Sequence, residues 1–425
     1  MRVYFDSNNI VKFVSDRPFM SNVFNFVEME NLPHDVIGKK LTFGERQGKG
    51  IKLAVVCNFD AACGIATYAK YLIDALRPKV AELKIFSERS EKEKIDGDYD
   101  IDYCWTRGES LKELSAKIAD WNPTFTNVQH EYGIFPKTPY LLQLLQTLRD
   151  RPYAVTLHSV YEHLDKTVAT TSMKNIVVHT ASGLSCLKKL GNTSNITVIP
   201  HGCVIKKDEE KGELYNTWHT EYPIVQFGFG FSYKGVEIAL EALRLLIDQD
   251  PLKYQKVFYT YFCSESPQVK NVIDSYVKKI EQKIRDLCLE DNALLVRGFQ
   301  SDQSLNNCIR TARLCIFPYL TDPKNRVHGA SGASRIAMAN GIPVITSSSD
   351  MFDDLAGIVP RPQDASQLAR EIDLVFSDGS YRQGILENQS SYVAANSWAI
   401  TADRYLDCFK AISGDREDSG TIFVG

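Results

Sequence analysis

No apolar run in this chain of 425 residues approaches the roughly 20 needed to cross a bilayer. The opening "MRVYFDSNNIVKF" lacks the basic-then-apolar pattern of a secretory signal. Paired cysteines are missing as well. Ten are scattered along the chain, with no C-x-x-C and no histidine at zinc-ligand spacing. They read as reduced, mostly buried thiols, so a cytoplasmic location is expected, with peripheral attachment at a membrane still compatible. No strong charge of one sign is present either: a net charge of −4 gives no overall attraction to nucleic acid. What remains is a soluble globular composition, 44% hydrophobic and 24% charged. The chain is too long for one ordinary core, so two domains are expected.

From residue 51 onward, short apolar runs alternate with helical patterns. "IKLAVVC", "LKIFSE", "FTNVQHE", "YAVTLHS", "NIVVHT" and "ITVIPHG" make a first set. The rhythm restarts near residue 222 with "YPIVQFGFG", "KVFYTYFC", "ALLVRGF", "LCIFPY" and "PVITSS". Runs that are apolar throughout suit strands buried on both faces of a parallel sheet. The expected fold is α/β: two Rossmann-like, doubly wound domains facing each other across a cleft. The predicted boundaries are an N-terminal extension at 1–47, a first domain at 48–203, a linker at 204–221 and a second domain at 222–396. A closing helix at 397–413 and a mobile tail at 414–425 follow. The extension reads either as an added flap or as an extra edge of the first sheet.

Chemistry-bearing residues gather at predicted strand ends. His130, His158, His179 and His201 each follow a strand of the first set, on the rim where such sheets bind ligands. Imidazoles there can reach sugar hydroxyls or phosphate oxygens. In the bend "CGIAT", Gly64 leaves little side chain between strand and helix, so a ligand can come close to the backbone. Lys234, in "FSYKG", precedes a helix and can reach a phosphate held at its N-terminus. Arg297 ends another strand of the same half and is a second candidate cation. In "HGASGASRIAMANG", Ser331, Gly332, Ala333 and Ser334 open a helix with uncovered backbone N–H groups, a geometry that holds a diphosphate. No Asp-x-Asp motif or His/Cys cluster is placed to bring a metal to these residues, and none is expected.

"CGIATYAKYL", "VQHEYGIF", "TLHS", "IPHG", "FSYKG" and "SGASRIAMANGIPVI", taken in this order, resemble the retaining nucleotide-sugar glycosyltransferases of the GT-B fold. The likeness is to the large glycogen-synthase-like and mannosyltransferase-like family. It implies that Gly64 lies beside the donor phosphates and that His130 and Glu131 lie near the transferred sugar. It also implies that Lys234 and Ser331–Ser334 bind the donor diphosphate, with His158, His201, His328 and Tyr319 as candidate contacts to sugar or acceptor. Two departures stand out. Many relatives carry an arginine five residues before the lysine, where this chain has Phe229. Many also carry a pair of glutamates in slots that here hold His328 and Ile336.

The function implied is metal-independent transfer, with retention, of a sugar from a nucleoside diphosphate sugar to a hydroxyl of a saccharide or lipid-linked acceptor. The donor is a substrate, and no cofactor is expected. One alternative acceptor is a hydroxymethylated base of DNA, with Lys206, Lys207, Lys324 and Arg326 lining the cleft rim. The other alternative is a non-catalytic protein that binds a nucleotide sugar or a partner.

Overall fold

The computed structural model describes residues 2–5, 11–14, 48–59, 61, 63–89, 98–165, 173–205, 220–265, 270–298 and 302–414. The short strands β1 (Arg2–Phe5) and β2 (Val11–Val14) pair with each other, antiparallel, and form a sheet of their own. Residues 15–47 of the extension, and the tail beyond Gly414, lie outside the described residues.

The apolar runs of the first set become β3 (Gly48–Cys57), β4 (Val80–Glu88), β6 (Phe125–His130), β7 (Tyr153–Leu157), β9 (Asn175–Val178) and β10 (Asn195–Val198), joined by β5 (Ile101–Trp105). β8 (Ser159–Tyr161) stands apart from this sheet. The seven strands run parallel in the order β10-β9-β7-β6-β3-β4-β5. The second set gives β11 (Pro223–Phe229), β12 (Phe258–Ser264), β13 (Ala293–Arg297), β14 (Leu314–Phe317) and β16 (Val344–Thr346), with β15 (Val327–Gly329) outside the sheet. These five are also parallel, in the order β13-β12-β11-β14-β16.

Each sheet reverses its winding at one place, between β3 and β6 in the first and between β11 and β14 in the second. Helices that leave neighbouring strand ends toward opposite faces open a crevice there. Gly64 follows β3 and His130 ends β6. Lys234 follows β11 and Tyr319 follows β14. The strand order therefore puts the site candidates at the two switch points.

The domains are tied together in three ways. β8 of the first domain pairs antiparallel with β15 of the second, with His328 opposite Val160 and Gly329 opposite Ser159. Cys203 and Asn396 exchange the two chain crossings, the Cys203 N–H donating to the Asn396 carbonyl at 2.7 Å and Trp398 N–H to Cys203 O at 3.1 Å. The helix Trp398–Ser413 then lies on the first domain, where Tyr405 and Phe409 are fully buried and Phe409 stacks on Phe125 at 4.2 Å. Gly202 makes this closure fit, because a Cβ there would overlap the Trp398 ring. Gly202→Ala is therefore expected to destabilise the protein by about 1–3 kcal/mol, the usual cost of overpacking. An unchanged urea midpoint would show that the ring has room to move.

The ten cysteines form no disulfide with one another, and eight are buried. No described helix is long and apolar enough to cross a membrane.

Candidate active site

The second domain's crevice is organised around a buried amine. The strand β11 ends in "GFG", and a single 3-10 turn, Ser232–Lys234, delivers Lys234 into the space beneath β14. Gly235 then starts the next helix at φ +66°, a left-handed conformation that glycine adopts without strain. A Cβ at this position would also run into the Pro318 carbonyl, so the turn can close only with glycine. Lys234 is 9% exposed, and its Nζ donates to the Tyr319 hydroxyl at 2.7 Å. The ammonium lies 4.0 Å from the centre of the Tyr319 ring and 4.8 Å from that of Tyr233. Burial lowers its pKa from the ordinary lysine value. No described carboxylate pairs with it, so its charge is held ready for an anion.

Tyr319 passes this contact on, its hydroxyl lying 3.1 Å from Ser331 Oγ. Ser331 is the N-cap of the helix Gly332–Ala339, yet its hydroxyl makes no capping bond because it is turned to Tyr319. The first amides of that helix are left without a side-chain cap, next to the Ser331 hydroxyl that Tyr319 engages. Beneath them sits Arg335, 2% exposed, which donates to Ser331 O and Ser334 Oγ at 3.1 Å each and pairs with Asp354. No pattern in the sequence marks this arginine as buried. It fixes the helix start from below.

The first domain supplies the opposite wall. Cys63 caps the helix Gly64–Leu76, its sulfur accepting from Ala66 N–H. Gly64 is exposed, and a Cβ added there would meet nothing within 4 Å. Packing within the chain therefore does not demand glycine at 64.

His130 ends β6, is 1% exposed, and stacks on Phe135 at 5.8 Å with the rings 6° from parallel. Neither ring nitrogen has a hydrogen-bond partner. Burial depresses its pKa to about 4, so it is a neutral imidazole. Glu131 goes elsewhere. Its carboxylate takes hydrogen bonds from the Ser159 and Tyr161 side chains and from Tyr132 N–H at 2.9 Å. Burial nevertheless raises its pKa to about 7, with nearby Asp165 adding to the rise. At neutral pH this carboxyl can accept a proton from a hydroxyl or donate one to it.

The other rim histidines converge on Tyr68. His158, His179 and His201 have ring centres 4.7, 5.1 and 4.9 Å from it. His158 Nε2 lies 2.8 Å from Gln129 Oε1, and His201 Nδ1 lies 2.7 Å from the Gly202 carbonyl. The two domains meet at this cluster: a Cβ on Gly332 would sit 3.3 Å from His201 Nε2, and one on Gly329 would sit 2.8 Å from the His158 carbonyl.

Three expectations need correction. Arg297 does not join Lys234, because β13 is the sheet edge, two strands from β11, and its guanidinium is held by Glu265 at 2.6 Å and by Asp274. His328 is gathered instead with Asp350 and Asp353. That trio has metal-ligand chemistry, but Arg326 binds Asp350 through two bonds of 2.8 and 2.6 Å, and Arg361 reaches Asp353 at 3.3 Å. The carboxylates are thus already neutralised. The same pairing removes Arg326 from the free cations of a DNA-binding rim, and Lys206 and Lys207 lie outside the described residues. Ile336 packs against the second core, so nothing acidic stands in either glutamate slot. The sequence does hold an acidic alternation, Asp98, Asp100 and Asp102, but it lies at the far edge strand and is paired with Arg77, Lys84 and Lys117.

Comparison with known proteins agrees with this fold. Residues 224–378 match the family model described as Glycosyl transferases group 1. No curated protein matches the chain. Among solved structures, a trehalose-6-phosphate synthase from E. coli bound with UDP-2-fluoro glucose is similar at 13% identity and TM-score 0.64, covering 84% of this chain and 99% of that one. An α,α-trehalose-phosphate synthase from Burkholderia xenovorans in complex with glucose-6-phosphate gives 13% identity, TM-score 0.66, and coverage of 84% and 100%. A Burkholderia vietnamiensis counterpart gives 11%, 0.65, and coverage of 87% and 99%. The chain has the GT-B glycosyltransferase fold, and the matched segment carries Lys234, Tyr319 and the Ser331–Ser334 helix start.

Proposed function

We propose that the protein transfers a glycosyl group, with retention, from a nucleoside diphosphate sugar to a hydroxyl of a saccharide or lipid-linked acceptor. The observation that carries this reading is the unit Lys234–Tyr319–Ser331 at the second domain's switch point, beside the uncapped start of the Gly332–Ala339 helix. A leaving diphosphate needs positive charge and fixed donors that are in place before the bond breaks. Lys234 supplies the charge, and the uncapped amides of Gly332–Ser334 supply the donors. His130 offers its free nitrogens to the sugar, and Glu131 receives or orients the acceptor hydroxyl. The group 1 family match and the nucleotide-sugar and sugar-phosphate ligands of the similar structures support the same assignment.

Neutralisation of the leaving group is assigned to protein groups, so activity is expected to survive excess EDTA. If EDTA abolished transfer and magnesium or manganese restored it, the leaving group would be stabilised differently. Screening UDP-, GDP-, ADP- and dTDP-sugars by thermal shift tests the donor reading, because a ligand that binds only the folded state raises the melting temperature. No shift with any of them would oppose it.

A non-catalytic GT-B binding protein is the second reading, favoured by His328 and Ile336 in the glutamate slots. It expects the same thermal shift with no release of nucleoside diphosphate.

A further inference from the structure

A diphosphate is a polyanion, and its charge grows as the glycosidic bond breaks. Three described arginines of the second domain are already engaged: Arg335 with Asp354, Arg361 with Asp353, Arg326 with Asp350. Position 229, five residues before the lysine, is a phenylalanine. One ammonium and a helix end worth about half a positive charge leave the anion under-neutralised.

His201 stands where the remaining charge is needed. Its Nδ1 is 2.7 Å from the Gly202 carbonyl, which can only accept, so Nδ1 carries the hydrogen. Nε2 is then a bare lone pair, and it faces Gly332, the first residue of the uncapped helix. Around the ring are Tyr68 from the Gly64–Leu76 helix, His179 at the end of β9, Trp398 from the closing helix, and Arg335 from the Gly332–Ala339 helix. His158 completes the cluster. No carboxylate is among these neighbours. Burial, then Arg335, then His179 hold the His201 pKa well below its ordinary value in the free protein. A phosphate at the helix start reverses the local potential.

We propose that His201 is the second cation of the donor site, its Nε2 taking up a proton from solvent as the nucleoside diphosphate group binds against Gly332. The proposal rests on the donor reading given above. The protonated Nε2–H donates to a phosphate oxygen, and the proton leaves again with the product. Histidine thus supplies a charge that the empty site, already holding buried Arg335, does not have to carry.

The test is calorimetric titration of the protein with UDP, GDP, ADP and dTDP between pH 6 and 8, in buffers of different ionisation enthalpy. The parent is expected to take up protons on binding, with affinity rising by up to about tenfold per unit as pH falls. His201→Gln is expected to bind more weakly at pH 6 and to lose that uptake, and His201→Asn gives the same reading should the glutamine variant fail to fold. Ionisation of the nucleotide's terminal phosphate acts in the opposite direction, and equally in every variant, so the difference between parent and variant isolates the histidine. Lys234→Met is expected to weaken binding yet retain the uptake. Uptake that persists in the His201 variants, or that disappears in Lys234→Met alone, would overturn the proposal. So would nucleotide binding by the parent with the same proton balance as His201→Gln, which would leave the donor reading standing. If none of the four nucleotides binds, the donor reading fails and this proposal fails with it.

Discussion

Lys234→Ala is expected to abolish most donor use while leaving the protein folded. The lysine makes a charge-assisted contact from a buried position, and removing such a contact costs about 2–3 kcal/mol. That corresponds to a loss of roughly 30- to 150-fold in donor affinity. The effect on stability should be small or of opposite sign. In the empty site Lys234 is a buried ammonium with no described carboxylate partner, an arrangement that costs desolvation energy. Tyr319 keeps Ser331 as a partner when the lysine is gone. The expected result is an unchanged or raised melting temperature together with weak nucleotide-sugar binding, measured by thermal shift and calorimetry. Parent-like affinity in a folded variant would remove Lys234 from the site.

The second large effect is expected at His130. Both of its ring nitrogens are buried without partners, whereas its neighbours on the same rim are joined in a network: His158 to Gln129, Gln129 to Asn127, Asn127 to Thr156. A merely structural histidine would be tied into such a network. An imidazole held neutral, stacked on Phe135 and left unsatisfied suits a partner that arrives with the substrate. His130→Ala should lower the turnover rate by roughly 100-fold, the scale of losing one preorganised transition-state contact. Nucleotide affinity should change little, because the contact is to the reacting sugar. A variant with a depressed melting temperature and parent-like turnover per folded molecule would make His130 a packing residue.

Much of the fold was legible because strands buried on both faces carry no polar alternation. "IKLAVVC" and "PIVQF" could hardly be read otherwise. β5, "IDYCW", was missed because an edge strand keeps polar residues on its open side, with Asp102 paired to Lys117. β8 and β15 are three residues each and exist because they meet across the two domains, which no local pattern can show. Candidate residues could be picked out where chemistry follows a strand end, and the structure joins Lys234, Tyr319 and Ser331 and gathers three of the rim histidines around Tyr68. Arg297 satisfied the same rule, but sequence does not show which strand will be the edge or that Glu265 and Asp274 will reach the guanidinium first. Arg335 was invisible for the converse reason. A single arginine among small residues gives no sign that a later aspartate, Asp354, will bury it.

Release of nucleoside diphosphate from a panel of nucleotide sugars, followed by phosphorus NMR in the presence of EDTA and a mixture of saccharide and lipid-linked acceptors, bears most directly on the proposed activity. Turnover of at least one donor is expected, lost in Lys234→Ala and His130→Ala, with the new glycosidic bond keeping the donor's anomeric configuration. Binding of a nucleotide sugar without any release of nucleoside diphosphate, or release followed by an inverted linkage, would contradict it.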